Sequence, residues 1–238
     1  MVNKNVLLTV LGMVASGCGT QVSDNPPMAQ QTTRTCATLV VNQASDTTGV
    51  ADCRDVNGDV VIEESSLANL HGLANIRSVS GSLVIAGNPN LTSLDGLDSL
   101  KTVGYLVIVN NVTLNSIASL KELRQAKGVT VAASPALQSL RGLESLRLLD
   151  GLVLTNTSLT SVEGLSNLER VGDMVLADNP RLESLAALAR LRSVENLDVE
   201  HNRRLEIKGP FDGIATPCAD GIVTERWSRG PEKSTKES

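Results

Sequence analysis

The chain has 238 residues and a formal net charge of −5, with 21 Lys and Arg against 26 Asp and Glu. No basic run or stripe is visible along it, so nucleic-acid binding is not expected. Aromatic residues make up 1% of the chain, namely Tyr105, Phe211 and Trp227, so the core must be filled by Leu, Val and Ile.

At the N-terminus Lys4 is followed by a short apolar run, Val6 to Val14, then by Ala15, Ser16, Gly17 and Cys18. The run is too short for a transmembrane helix and has the layout of an export signal. Val14-Ala15-Ser16-Gly17-Cys18 resembles the bacterial lipobox, with Ala15 where Leu is usual. That resemblance implies a signal peptide at 1–17, lipidation of Cys18 and attachment to a membrane through the lipid. Gly19 stands where an Asp would resemble the inner-membrane retention signal, so an outer-membrane or cell-surface address is expected. Residues 18–35 are polar, carry a Pro pair and lack periodicity, and read as a flexible tether. Fully stretched it would reach roughly 55 Å.

From residue 67 to residue 194 the chain places apolar residues at every third position, in six blocks of five. The blocks are Leu67/Leu70/Leu73/Ile76/Val79, Leu91/Leu94/Leu97/Leu100/Val103, Leu114/Ile117/Leu120/Leu123/Ala126, Leu137/Leu140/Leu143/Leu146/Leu149, Leu159/Val162/Leu165/Leu168/Val171 and Leu182/Leu185/Leu188/Leu191/Val194. A period of three fits neither an α-helix nor a flat strand. It fits a chain wound into coils, with one side chain turned inward at each step, and so predicts a β-solenoid. The blocks open near Gly58, Gly81, Gly104, Gly128, Gly151, Gly172 and Asn196, at nearly even intervals. The block at 151–171 is two residues short, and its strand register is ambiguous. Each block starts with a β-prone run, such as Leu83-Val84-Ile85 or Leu106-Val107-Ile108, and stacking these runs makes a parallel sheet with one strand per coil. Leu83 and Ile85 are expected to point inward and Val84 outward.

Three polar or small rows accompany the leucines. Three residues before the first Leu of each later block stand Asn88, Asn111, Ser134, Asn156, Asn179 and Asn202. Where a strand ends and the coil turns, backbone amides and carbonyls lose their ladder partners, and an inward Asn supplies two donors and an acceptor. These side chains are expected to stack as a ladder, with Ser134 its weakest rung. Asn69, Ser93, Ser116, Ser139, Ser161 and Ser184 form a second row, suited to local turn bonds. Gly72, Gly96, Ser119, Gly142, Gly164 and Ala187 are all small, as a tight corner or a close approach of coils requires.

The pattern G-x-L-x-I-x-x-N-x-x-L-x-x-L-x-x-L-x-x-L-x-x-V resembles the receptor L domain, a leucine-rich, single-stranded β-helix found in insulin-type and growth-factor-type receptors and in bacterial and fungal surface proteins. The resemblance covers about residues 36–210. It implies a right-handed β-helix with short helical or irregular returns, a protein-binding role and no transferable contact residue. It also implies that Cys36 and Cys53 close an N-terminal capping loop at 36–57 by a disulfide. Cys218 is then left over; the alternative, Cys218 pairing across the domain, would have to join the far ends of a long stack. The solenoid is placed at 58–210, a C-terminal cap at 211–227 and a polar tail at 228–238.

Chemistry-bearing motifs are scarce. No nucleophile elbow, phosphate-binding glycine loop or metal-ligand cluster is found, so no cofactor is expected and catalysis is disfavoured. His71 and His201 read as surface residues. Sequons occur at Asn90, Asn111 and Asn156, the last two inside the Asn row. The outward strand positions Val84, Tyr105, Val107, Val109, Thr130, Ala132 and Val175 are mostly apolar and mark a candidate contact surface. A competing reading is that Val and Thr simply suit strands, with the segment holding Phe211 and Trp227 folded over the face. The function expected is lipid-anchored recognition or adhesion toward a protein or glycan. A complex-anchoring outer-membrane lipoprotein is the alternative, and a polysaccharide-active β-helix enzyme, which would need clustered ionisable groups on one face, is less favoured.

Overall fold

A computed structural model describes residues 34–42, 50–207 and 211, and the backbone of 223–228. The export segment, Cys18, most of the tether, Cys218 and residues 229–238 lie outside the described residues. The strands are β1 Arg34–Cys36, β2 Leu39–Asn42, β3 Cys53–Val56, β4 Val60–Glu63, β5 Ser78–Ala86, β6 Thr102–Val109, β7 Gln125–Ser134, β8 Leu148–Thr157, β9 Arg170–Ala177, β10 Ser193–Glu200 and β11 Val223–Ser228. β1 therefore takes the last two residues assigned above to the tether, and β11 takes Ser228 from the tail. One sheet runs β1-β3-β5-β6-β7-β8-β9-β10-β11, and the short strands β2 and β4 extend it beside the second half of β5. Every pairing is parallel except the last, in which β11 closes the stack antiparallel to β10.

The structure is thus a β-solenoid of stacked coils with almost no helix. Its period of three has a direct cause. After each strand the backbone N–H of one core residue donates to the carbonyl three residues back, as in Leu73 to Leu70, Leu97 to Leu94, Leu100 to Leu97 and Leu168 to Leu165. Such bonds turn the chain once per three residues, so side chains three apart face the same way. All thirty periodic positions are buried except Leu67, which is partly buried against the core.

Register corrects the coil boundaries. The inward residues that open the second half of successive strands, with Val60 opening β4, are Leu83, Leu106, Val129, Leu152, Met174 and Leu197, paired directly across the sheet. Their spacing along the chain is constant, except for a single residue lost between Leu152 and Met174. Gly151 pairs with Asp173, so Gly172 shares the column of Gly81 and Gly104 while Gly128 and Gly151 stand one position later, and that coil is one residue short rather than two.

The expected ladder exists with one rung moved. The Asn88 Nδ2 donates to the carbonyls of Ile62 at 3.0 Å and Ala86 at 3.1 Å, and its Oδ1 accepts from the Ser65 N–H and hydroxyl at 3.0 and 2.6 Å. Asn111, Asn179 and Asn202 repeat the pattern on Ile85, Leu154 and Leu176 at 2.8, 2.8 and 2.7 Å. Ser134 is buried, its Oγ donating to the Ala132 carbonyl at 3.1 Å and accepting from the Asn111 N–H at 3.4 Å, but it lacks the bond to the preceding coil's carbonyl that the Asn rungs make. Asn156 is not a rung: it is exposed, with φ of +51°, and Thr157 takes the place. The Thr157 hydroxyl and N–H donate to Asn179 Oδ1 at 2.6 and 3.1 Å. The reason is spacing, because one residue fewer separates this rung from its leucine, Leu159, and a short hydroxyl side chain suits the tighter turn. Ser65, two residues before Leu67, is the same arrangement at the first rung. Of the three sequons only Asn111 is buried, while Asn90 and Asn156 are exposed.

The other two rows behave as expected. Asn69, Ser93, Ser116, Ser139 and Ser184 each accept from the N–H two residues on, at 3.0 to 3.4 Å. At Gly96, Gly142 and Gly164 an added Cβ would strike the carbonyl oxygens of Leu70, Ile117 and Leu140 in the preceding coil. The Cys36–Cys53 disulfide is present, with Cα atoms 5.8 Å apart and a sequence separation of 17. At the other end Phe211 is fully buried, and the Trp227 backbone pairs with Val194 in the sheet, so β11 extends the sheet at its edge and does not fold over its face.

Three stability measurements check this account. In urea unfolding with an unchanged m-value, Asn111→Ala is expected to cost about 3 kcal/mol and Thr157→Val about 1 kcal/mol, with Asn156→Gly within about 0.5 kcal/mol of wild type. Gly164→Ala is expected to lower the melting temperature sharply or to abolish folding, whereas Gly151→Ala, whose Cβ meets nothing closer than 4.0 Å, is tolerated. Replacing both Cys36 and Cys53 by Ser is expected to cost about 3 kcal/mol, the chain-entropy value for a loop of this length.

Candidate functional site

The outward side of the parallel sheet carries the expected contact residues in three columns set by register. The middle column runs Val40, Val61, Val84, Val107, Thr130, Val153, Val175 and Asp198. One neighbouring column runs Ser82, Tyr105, Gly128, Gly151, Asp173 and Asn196, and the other Ala86, Val109, Ala132, Thr155, Ala177 and Glu200. On β5 to β8 these columns give twelve consecutive face positions without a charge. Acidic residues appear only at the ends, at Asp59 and Glu63 on one side and at Asp173, Asp198 and Glu200 on the other.

β-Branched side chains suit this surface because they fill the pleat between neighbours in register. Val84, Val107, Val109, Thr130 and Val175 are each half-buried by their column partners, so they offer methyl groups at a nearly level surface. Ala132 departs from expectation in being buried, with 4% of its surface accessible. Tyr105 stands above this level and is exposed. Its ring lies over Gly128, where an added Cβ would come within 3.0 Å of the ring Cδ1. Gly151 continues the column with open space above it. The result is an aromatic post leaning over Gly128 beside a notch at Gly151, on an aliphatic wall whose edge next to these glycines carries the exposed Lys127 and Asp150.

Val153 and the notch glycines complete this site and were missed by the sequence reading, although Val153 sits in the Leu152-Val153-Leu154 run that the strand pattern marks. The ionisable groups lie elsewhere. Among the described residues no three His, Cys, Asp or Glu side chains come together. His71 and His201 are both exposed, and His201 Nδ1 lies 3.4 Å from Asp178 Oδ1. The Asp95 carboxyl is held below the usual carboxylate range, chiefly by hydrogen bonding from Ser93 and then from Ser119, with the nearby His71 adding to the effect. Asp95 lies at the coil corner that links two small-residue positions, not on the sheet face. Because its pKa is lowered on folding, its stabilising contribution is present above the unfolded pKa and fades as pH falls through the folded one.

The expectation that the chain has no basic stripe is overturned. Arg54 in β3 and the residues immediately before β5 to β10 stack through backbone bonds in which Arg77 donates to Arg54, Lys101 to Arg77, Arg124 to Lys101, Glu169 to Arg147 and Arg192 to Glu169, at 2.7 to 2.8 Å. Arg124 and Arg147 precede the adjacent strands β7 and β8 and fill the remaining step. This corner therefore presents Arg54, Arg77, Lys101, Arg124, Arg147, Glu169 and Arg192 in one column. No basic run betrays it, because its members stand a full coil apart in sequence.

Residues 52–129 match the family model of the receptor L domain. The matched span is 78 of the 238 residues and holds β3 to β6, the first half of β7, the first two Asn rungs and Tyr105. Receptor L domains are non-enzymatic, extracellular ligand-binding modules, and the disulfide found here accords with an exported chain. No curated protein matches the chain. Among the described residues no helix is long and apolar enough to cross a membrane.

On this geometry Gly128→Ala is expected to tilt the Tyr105 ring away from the wall. The change should appear in the near-ultraviolet dichroism of Tyr105, with far-ultraviolet dichroism retained.

Proposed function

We propose that this chain is a non-catalytic recognition module that captures a protein partner on the outward face of its parallel sheet. Tyr105 is the anchor, and Val84, Val107, Val109, Thr130, Val153 and Val175 form the apolar surround. The observation that carries this reading is the run of twelve uncharged face positions on β5 to β8, bounded by acidic residues at both ends. In a chain of which 20% is charged, a solvent-facing sheet with no partner has no need to exclude charge. Interface cores have the same make-up, with charged residues depleted and tyrosine enriched. The similarity to receptor L domains over β3 to β7 supports a ligand-binding role. Export, lipidation at Cys18 and display on the outer membrane or cell surface belong to the same proposal, and the lipobox-like Val14-to-Cys18 segment supports them.

Two experiments test it. Partners captured by the full chain from intact cells or their surroundings are identified, and their affinity is measured for wild type and for the double variant Tyr105→Ala, Val107→Asp. The expected result is at least a tenfold loss, about 1.4 kcal/mol, with a nearly unchanged melting temperature. Equal affinity in the two proteins would refute the face as the site. Separately, Cys18→Ser is expected to abolish incorporation of radiolabelled palmitate and to move the chain from the membrane to the soluble fraction.

A further inference from the structure

We propose that the basic corner column is a second binding site, for a linear acidic polysaccharide of the polyuronate class laid along the solenoid axis. Six of its seven positions are Arg or Lys, in a chain where these residues number only 21 of 238. Coil stacking repeats the cations at about 4.8 Å, so the column is roughly 29 Å long. A polyuronate carries one carboxylate per sugar ring, so it presents a regular line of anions along the column, each within reach of long, exposed Arg and Lys side chains. Like charges held in register across a sheet repel one another, so the column is poorly explained as a stabilising device.

The surroundings fit a sugar chain. On the strand side the column is flanked by Ser78, Thr102 and Gln125, and on the other side by Asn75, Ser99, Ser145 and Asn167; Ser78, Asn75, Ser145 and Asn167 already donate to Asp55 and to the carbonyls of Ala51, Lys121 and Glu144, which leaves their oxygens to accept from sugar hydroxyls. The opposing groups are few. Arg124 pairs with Glu122 at 3.2 Å and Arg147 with Glu169 at 3.4 Å, both arginine side chains being about two-thirds exposed. Such exposed pairs are weak, and a polyanion can displace them. Asp55 is engaged by the Ser78 hydroxyl at 2.6 Å. Single-stranded nucleic acid is the poorer fit, because its sites join cations to stacking aromatics, and the corner has none. Tyr105 belongs to the sheet face. The column is also one cation wide, where duplex DNA presents two phosphate strands.

The test is calorimetric titration of the full chain with polygalacturonate oligomers, with dextran, inorganic polyphosphate and single-stranded DNA as comparison ligands. Binding to polygalacturonate and not to dextran is expected, with log affinity falling linearly with log salt concentration. Arg77→Glu with Lys101→Glu should weaken it roughly tenfold or more, whereas Arg181→Glu with Arg203→Glu, an equal change in net charge away from the column, should weaken it far less. Glu169→Lys, which completes the row, should strengthen it several-fold. Tyr105→Ala with Val107→Asp should leave it unchanged, so failure here and failure of the sheet-face reading are separable. The proposal is overturned by equal binding to dextran, by equal losses in the two double variants, by no gain in Glu169→Lys, or by tighter binding to polyphosphate or DNA. Should the Arg77, Lys101 variant unfold, Glu169→Lys decides the matter alone.

Discussion

The rest of the structure depends on how the backbone is satisfied where each strand ends and the coil turns inward. At that point peptide groups leave the parallel ladder while still inside the molecule, and water cannot reach them. Asn88, Asn111 and Asn202 meet the need by bonding at once to their own coil and to the one before it, and Asn179 bonds to the one before it. Such a bond tolerates no slippage between coils. It therefore holds the repeat to a nearly fixed length and brings every other position into register with it. The aliphatic core follows from this constraint, because identical side chains then meet above and below and fill the interior without aromatic residues.

Strict register has a second consequence, on the outside. A residue type repeated once per coil becomes a continuous line on the surface. Uncharged positions in the second halves of four neighbouring strands become an aliphatic wall, and a cation placed before most strands becomes a basic edge. These surfaces lie on different sides of the strand start, built from positions only a few residues apart in each coil. A single stack can thereby present two chemically distinct faces without any inserted loop or added domain, and the ends need only be closed, by a disulfide loop at one and an antiparallel strand at the other.

Much of this was legible in the residues. Leu91, Leu94, Leu97 and Leu100 announce an interior by their spacing alone, since no regular element other than a tight three-residue turn puts such positions together. Leu83 and Ile85 inward with Val84 outward follows from strand alternation, and the Ser93 and Ser116 turn bonds follow from a hydroxyl two residues before a free amide. The failures share one cause. Asn156 has the residue type of a rung and the right distance from Leu159 by the rule of the other coils, yet Thr157 is the rung. A missing residue between rung and leucine is invisible when positions are counted from the leucine. Gly81, Gly104, Gly128, Gly151 and Gly172 all read as coil starts, but pairing across the sheet sets Gly172 with Gly81 and Gly104 and puts Gly128 and Gly151 one column later, opposite Asp173.

By itself, the sequence determined the interior: which residues are apolar, at what period, and so that the chain must coil and stack, because that information is local and repeats within each coil. Only the tertiary structure decided the exterior. Val84, Val107, Thr130 and Val153 became one wall, and Arg77, Lys101, Arg124 and Arg147 one edge, because hydrogen bonds between coils set residues a whole turn of the chain apart side by side, and no reading along the chain contains that adjacency until the register is known.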